Sequence, residues 1–144
     1  MLSAKDLLPL SWDALLKMDA FREAIWESLG NKGPYEHSAG LVKGCCPRCG
    51  KECSNGMDYV MENWLPCPVP PPIDMEPEVV AERLRKKTDT QFPEQLAAVA
   101  VVHAWVLGHD KPYEPGGHWM WYAVRATPIQ RIIVCLLALG LIGE

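Results

Sequence analysis

Apolar residues recur every three to four positions through most of this chain, the period of amphipathic helices. Between residues 12 and 29 the stripe consists of Trp12, Leu15, Leu16, Met18, Phe21, Ile25, Trp26 and Leu29, with Lys17, Arg22, Glu23 and Glu27 mostly off it. Ser11 stands where an N-cap belongs and Gly30 where a C′ residue belongs. Asp19 offers a second start, so this stretch is either one helix or two with a break near Met18. A short turn precedes it, with Ser3 and Asp6 read as a capping box and Pro9 as the stop.

The second half repeats the period. Residues 76–87 read as a helix with Pro77 in its first turn. Its acidic residues (Glu76, Glu78, Glu82) come first and its basic ones (Arg83, Arg85, Lys86, Lys87) last, the order that opposes the helix dipole. Pro93 opens a further helix that Gly108 ends. Leu96, Val99, Ala100, His103, Val106 and Leu107 share one face of it, although Ala98, Val101 and Val102 make it apolar nearly all round. Residues 109–117 form a loop and 118–126 a short helix. Thr127 caps and Pro128 opens the last helix, which runs to Leu139 or Gly140. Beyond Arg131 this helix is apolar on every side, so it must be covered, either as the central core helix or as a homo-oligomer contact.

Residues 31–67 break the pattern. Glycine, asparagine and cysteine replace the helical stripe, and short extended pieces are expected near 40–43 and 57–60. Five of the six cysteines fall here: Cys45, Cys46, Cys49, Cys53 and Cys67. Cys46 and Cys49, turned by Pro47 and followed by Gly50, have the spacing of a metal knuckle. The five residues CPRCG resemble the knuckle of rubredoxins and zinc ribbons, but the second CxxC that completes a ribbon is missing. A tetrahedral site needs four ligands, and the set chosen is Cys46, Cys49, Cys53 and Cys67, with His37 and Cys45 in reserve. Four protein ligands would close the sphere, so the expected cofactor is structural Zn²⁺; an iron–sulfur cluster fits the same spacing less economically. A metal would supply the shape that so polar a module cannot find in a core of its own. The run 66–72 is a stiff polyproline spacer or a ligand for an aromatic groove. The boundaries read as 1–30 (N-terminal helices), 31–67 (metal module), 68–77 (proline-rich linker) and 78–144 (C-terminal bundle), expected to fold as one unit.

Composition narrows the class. With 144 residues and 49% hydrophobic content the chain can bury a core. The net charge of -4 argues against a dedicated nucleic-acid binder and fits a protein partner with a basic surface. The first residues lack the pattern of a signal peptide, and the apolar run 132–142 is shorter than the roughly 20 residues a span requires. The expectation is a cytoplasmic protein with no membrane partner. Reduced cysteines in that compartment favour a metal over disulfides. The fold class expected is mainly α, a helical bundle with a small cysteine-rich zinc-knuckle insert, irregular or a short β-hairpin.

For function the reading is a protein-interaction module and not an enzyme: a regulator or inhibitor docking on a larger complex, of the kind phages encode. Its working surface would include Tyr59 and Trp64 of the cysteine module and the cluster Trp119, Trp121 and Tyr122, since aromatic rings bury much area at low entropic cost. The same cluster also suits the cap of a core. His103, within an apolar helix, reads as a core residue; His109 and His118 flank a polar loop. Two other classes stay open. One is a zinc-dependent nucleic-acid binder using Lys43, Arg48 and Lys51 together with the basic end of the 76–87 helix. The other is a metal enzyme with an open three-ligand site and Glu36 or Glu52 as base, although nothing in the spacing selects either.

Overall fold

A computed structural model describes residues 2–31, 69–90, 92–108 and 118–144, and the described part is mainly α-helical. The helices are α1 (Ala4–Leu7), α2 (Trp12–Leu16), α3 (Asp19–Ser28), α4 (Pro77–Thr88), α5 (Phe92–Val106), α6 (His118–Met120) and α7 (Pro128–Ala138). After α6 the chain continues as a π-helical stretch, Trp121–Arg125. The cysteine module, including every proposed zinc ligand, lies outside the described residues.

The apolar last helix is the centre of the bundle. α7 packs chiefly against α4 and α5, with α1 and α3 also touching it. Ile132, Ile133, Val134, Cys135 and Leu136 are all fully buried, which is how a helix without a polar face is accommodated. One continuous core joins Leu7, Leu15, Phe21 and Ile25 of the N-terminal helices to Val80 and Leu84 of α4 and Val99 and Val102 of α5. The chain ends are tied beside it: Ala4 N–H donates to Gly143 O (2.7 Å) and Gly143 N–H to Leu2 O (2.8 Å).

Local signals set the helix ends. Ser11 Oγ accepts from Ala14 N (3.2 Å), and the helix does break at Met18, giving α2 and α3. α3 closes with a Schellman pair, Gly30 N–H to Glu27 O (3.0 Å) and Asn31 N–H to Trp26 O (2.8 Å). That pair needs Gly30 at φ +90°, a region costly to residues with a Cβ. Thr127 and Gln130 make a full capping box at the head of α7. Ser3 does not make the box expected with Asp6. Its hydroxyl donates instead to Glu144 O at 2.7 Å, because the C-terminal residues lie within reach.

One further expectation changes. The inward face of α5 is Gln95, Ala98, Val99 and Val102, while Leu96, Val106 and Leu107 are exposed. A helix apolar all round carries no sequence instruction about which side is inside, and the position of α7 decides it. The described part of the proline run, 69–72, packs along the domain as the spacer reading expects: Pro70 is buried, as is Ile73 just beyond, and Trp26 Nε1 donates to Pro71 O at 2.8 Å. Among the described residues no helix is long and apolar enough to cross a membrane.

Candidate functional site

One side of α4, continued by its C-cap Asp89, presents residues at helical spacing. Glu78, Ala81, Glu82, Arg85 and Asp89 form one wall of a groove of about 380 Å³. Trp119, Tyr122 and Ala123 form the opposite wall, Pro128 and Arg131 close the end at the head of α7, and Gln95 of α5 lies beneath. The size falls in the range of ligand-binding clefts.

The groove rests on buried hydrogen bonds that join four elements. Gln95 Nε2 donates to Thr88 Oγ1 (3.1 Å) and to the Tyr122 hydroxyl (3.4 Å). The Thr88 hydroxyl donates back to Leu84 O (3.0 Å), capping the end of α4. Cys135 Sγ of α7 lies 3.5 Å from the Tyr122 hydroxyl and 3.6 Å from Thr88 Oγ1. Burial, reinforced by Cys135, pushes the Tyr122 phenol far above its ordinary value. Burial likewise raises the Cys135 thiol, outweighing its bonds to Tyr122 and Thr88. Both groups therefore stay protonated at neutral pH, and Cys135 is an enclosed packing residue, as its place in an apolar helix implied.

The rim is charged. Arg85 grips Glu82 with two bonds, Nε to Oε2 at 3.1 Å and Nη2 to Oε1 at 2.8 Å. The guanidinium holds the Glu82 carboxyl below its usual range, and the carboxylate raises Arg85 in return. Arg131 Nη2 donates to Ala123 O at 3.1 Å, tying α7 to the π stretch. Three carboxylates (Glu78, Glu82, Asp89) and two guanidinium groups (Arg85, Arg131) thus line the opening.

The aromatic cluster divides. Trp119 is 41% exposed and lines the groove, 5.5 Å from the Tyr122 ring. Trp121 is 8% exposed and Tyr122 5% exposed. The Trp121 ring stacks on His103 at 4.5 Å and 6°. Met120 and Val124 are each 66% exposed, so Trp119, Met120, Ala123 and Val124 give the segment an apolar outer face. His103 is partly buried and shares an Nδ1···Nδ1 hydrogen bond of 2.8 Å with buried His118.

Cys45, Cys46, Cys49, Cys53, Cys67, His37, Tyr59, Trp64 and His109 all lie outside the described residues. Among those that are described, no group of three or more His, Cys, Asp or Glu side chains is arranged to hold a metal ion. Gln95, Thr88 and Arg131 escaped the sequence reading. Their one signal was chemical: Gln95 and Thr88 are polar residues at positions where helical spacing calls for core. Comparison with protein-family models, curated proteins and solved structures finds no match for this chain.

Proposed function

We propose that the protein is an interaction module, a regulator or inhibitor that captures a segment of a larger protein across the α6 face and the adjoining groove. The observation that carries this reading is the exposed apolar run Trp119, Met120, Ala123 and Val124 beside a cleft with a charged rim. Large exposed apolar side chains grouped next to a concavity are typical of binding surfaces, and Trp and Met are favoured anchors. Three carboxylates against two guanidinium groups, on a chain of net charge -4, favour a partner segment carrying basic side chains around an apolar anchor. The cysteine module belongs to the same reading as a second contact region, with Tyr59 and Trp64 near a structural Zn²⁺ held by Cys46, Cys49, Cys53 and Cys67.

Replacing Met120 with a photo-crosslinking amino acid gives the test. The partner trapped from the source cell is identified, purified and titrated against the unmodified protein and against Trp119→Ala. A hot-spot tryptophan is worth about 2 kcal/mol on truncation, or about thirtyfold in Kd. Equal affinity for the two proteins rejects the surface.

A further inference from the structure

The floor of the groove carries one hydrogen-bonding atom that the fold does not use. Gln95 is 3% exposed and lines the groove from below. The orientation of its amide follows from Thr88. The Thr88 hydroxyl commits its proton to backbone carbonyls, Leu84 O at 3.0 Å and Arg85 O at 3.1 Å, which can only accept. Thr88 Oγ1 must therefore accept from Gln95, so Nε2 is the atom that faces Thr88 and the Tyr122 hydroxyl. Oε1 is left at the other end of the amide. Among the described residues no donor reaches it, and it is not one of the side-chain atoms sealed from solvent without a partner. Its lone pairs open on the groove. An acceptor held by two bonds from its own amide is a preorganised contact for an N–H donor.

The charges at that end select the donor. Asp89 follows Thr88 directly, at the C-cap of α4, so its carboxylate lies at the Gln95 end of the groove. It is exposed and takes part in no hydrogen bond or ion pair among the described residues. The carbonyl end of the α4 dipole adds negative potential at the same place. The nearby cations are engaged or displaced. Arg85 is gripped by both oxygens of Glu82, and Lys86 and Lys87 do not line the groove. Arg131 lies four residues before Cys135, the α7 residue that touches Thr88, hence about 6 Å nearer the head of α7. The wall is aromatic: the Trp119 and Tyr122 rings stand 5.5 Å apart, tilted by 41°.

We infer that the Asp89 end of the groove is a subsite for the ammonium group of a lysine side chain in the captured segment. Gln95 Oε1 accepts one N–H, the Asp89 carboxylate supplies the counter-charge, and Trp119 and Tyr122 flank the methylene stem. The subsite rests on the binding reading for its occupant. An ammonium is a compact head whose three N–H groups diverge, so it can reach two separate acceptors. A guanidinium fork pairs best with both oxygens of one carboxylate, and on this rim Arg85 already holds Glu82 in that way. A quaternary ammonium keeps the charge but brings no N–H to Gln95.

NMR titration of the full chain with capped pentapeptides tests the subsite. Each peptide is polyalanine of roughly the 16 Å that separates Glu78 from Asp89 along α4. Its central residue is lysine, norleucine, Nε-acetyl-lysine or Nε-trimethyl-lysine. The lysine peptide should shift the Gln95 side-chain amide and the Trp119 indole saturably. Each analogue should bind about tenfold more weakly or worse, the scale of one hydrogen bond to a charged group. Asp89→Asn should weaken the lysine peptide about tenfold and leave the norleucine peptide unchanged. Glu94→Gln, exposed and off the groove, should change neither. Gln95→Met, read at the Trp119 indole, should erase the preference for lysine over Nε-trimethyl-lysine and keep the preference over norleucine. A glutamine with only a structural role would not split the two. Absence of binding by the lysine peptide overturns the subsite, as does equal affinity for lysine and either norleucine or Nε-trimethyl-lysine, or wild-type binding by Asp89→Asn. If Gln95→Met does not fold, the wild-type series and Asp89→Asn decide. Crosslinking at Met120 separates the two ideas. A lysine-selective groove with no partner trapped leaves the subsite and removes the captured protein, whereas a trapped partner with no lysine selectivity removes the subsite alone.

Discussion

Thr88 and Gln95 offer the sharpest test of how the groove is supported. Thr88→Val preserves shape and removes one hydroxyl. It deletes the bond to Leu84 O and the short bond accepted from Gln95 Nε2, leaving that buried donor with only the long 3.4 Å contact to Tyr122. One ordinary hydrogen bond nets about 1 kcal/mol, and a poorly satisfied buried donor adds about 1–2 more, so the expected loss is about 2–3 kcal/mol. Gln95→Met removes the donor itself. Thr88 keeps its backbone acceptors and Tyr122 keeps Cys135 Sγ at 3.5 Å, so no polar group is stranded and the cost is about 1 kcal/mol. In the Gln95→Met background Thr88→Val no longer strands anything. The double variant should then lose less than the sum, with a coupling of about 1–2 kcal/mol. Urea unfolding followed by far-ultraviolet dichroism, at unchanged m-value, measures all four corners. Additivity within about 0.3 kcal/mol, or a Gln95→Met cost above that of Thr88→Val, would refute the accounting.

Three other changes probe separate parts. Thr127→Ala removes the side-chain half of the α7 capping box, the 3.2 Å bond that Thr127 Oγ1 accepts from Gln130 N–H, keeps the 2.9 Å bond from its own backbone N–H to Gln130 Oε1, and should cost about 1 kcal/mol, read from the urea midpoint; Thr127→Ser should cost much less. Leu84→Ala, fully buried where α4 meets α7, should cost about 2–5 kcal/mol in the same assay, and a loss under about 1 kcal/mol would mean the α4–α7 contact is not central. Elemental analysis should find one zinc per chain, and a strong chelator should lower the thermal midpoint. Metal-free protein with an unmoved transition removes zinc from the proposal.

Helix termini were legible because each depends on a few adjacent residues. Ser11, Pro77, Thr127 with Pro128, and the glycines at 30, 108 and 140 all act where their chemistry indicated. The covered position of α7 was legible too, since eleven residues with so little polar surface cannot face water. The orientation of α5 was not. Its apolar residues surround the axis, and Leu96 and Ala98 are chemically near-equivalent until α7 packs against one side. Ser3 failed as a box for a related reason: the competing acceptor, Glu144 O, is at the other end of the chain. The groove was half visible. The acidic-to-basic order along 76–87 indicated an exposed, charged α4 face, but the Glu82–Arg85 pair emerged only in the structure, and only tertiary contact brings Trp119 and Arg131 opposite it.

The adjacent aromatics at 119–122 carry a last discrimination, and the π turn explains it. Ala126 N–H reaches Trp121 O at 2.8 Å, five residues back, so this turn holds one residue more than an α turn. Trp121 and Tyr122 both turn inward, one onto His103 and the other onto Gln95 and Cys135, while Trp119, Met120, Ala123 and Val124 remain outside. Two tryptophans separated by a single residue should therefore behave oppositely. Trp121→Ala leaves a cavity and loses the stack, costing about 3–5 kcal/mol of stability. Trp119→Ala removes a ring that is 41% exposed and should cost under about 1 kcal/mol, while weakening partner binding about thirtyfold. Urea unfolding and titration of the crosslinked partner, run on both variants, separate the roles. Equal destabilisation by the two substitutions would show that Trp119 is core, and would leave the α6 face without its anchor.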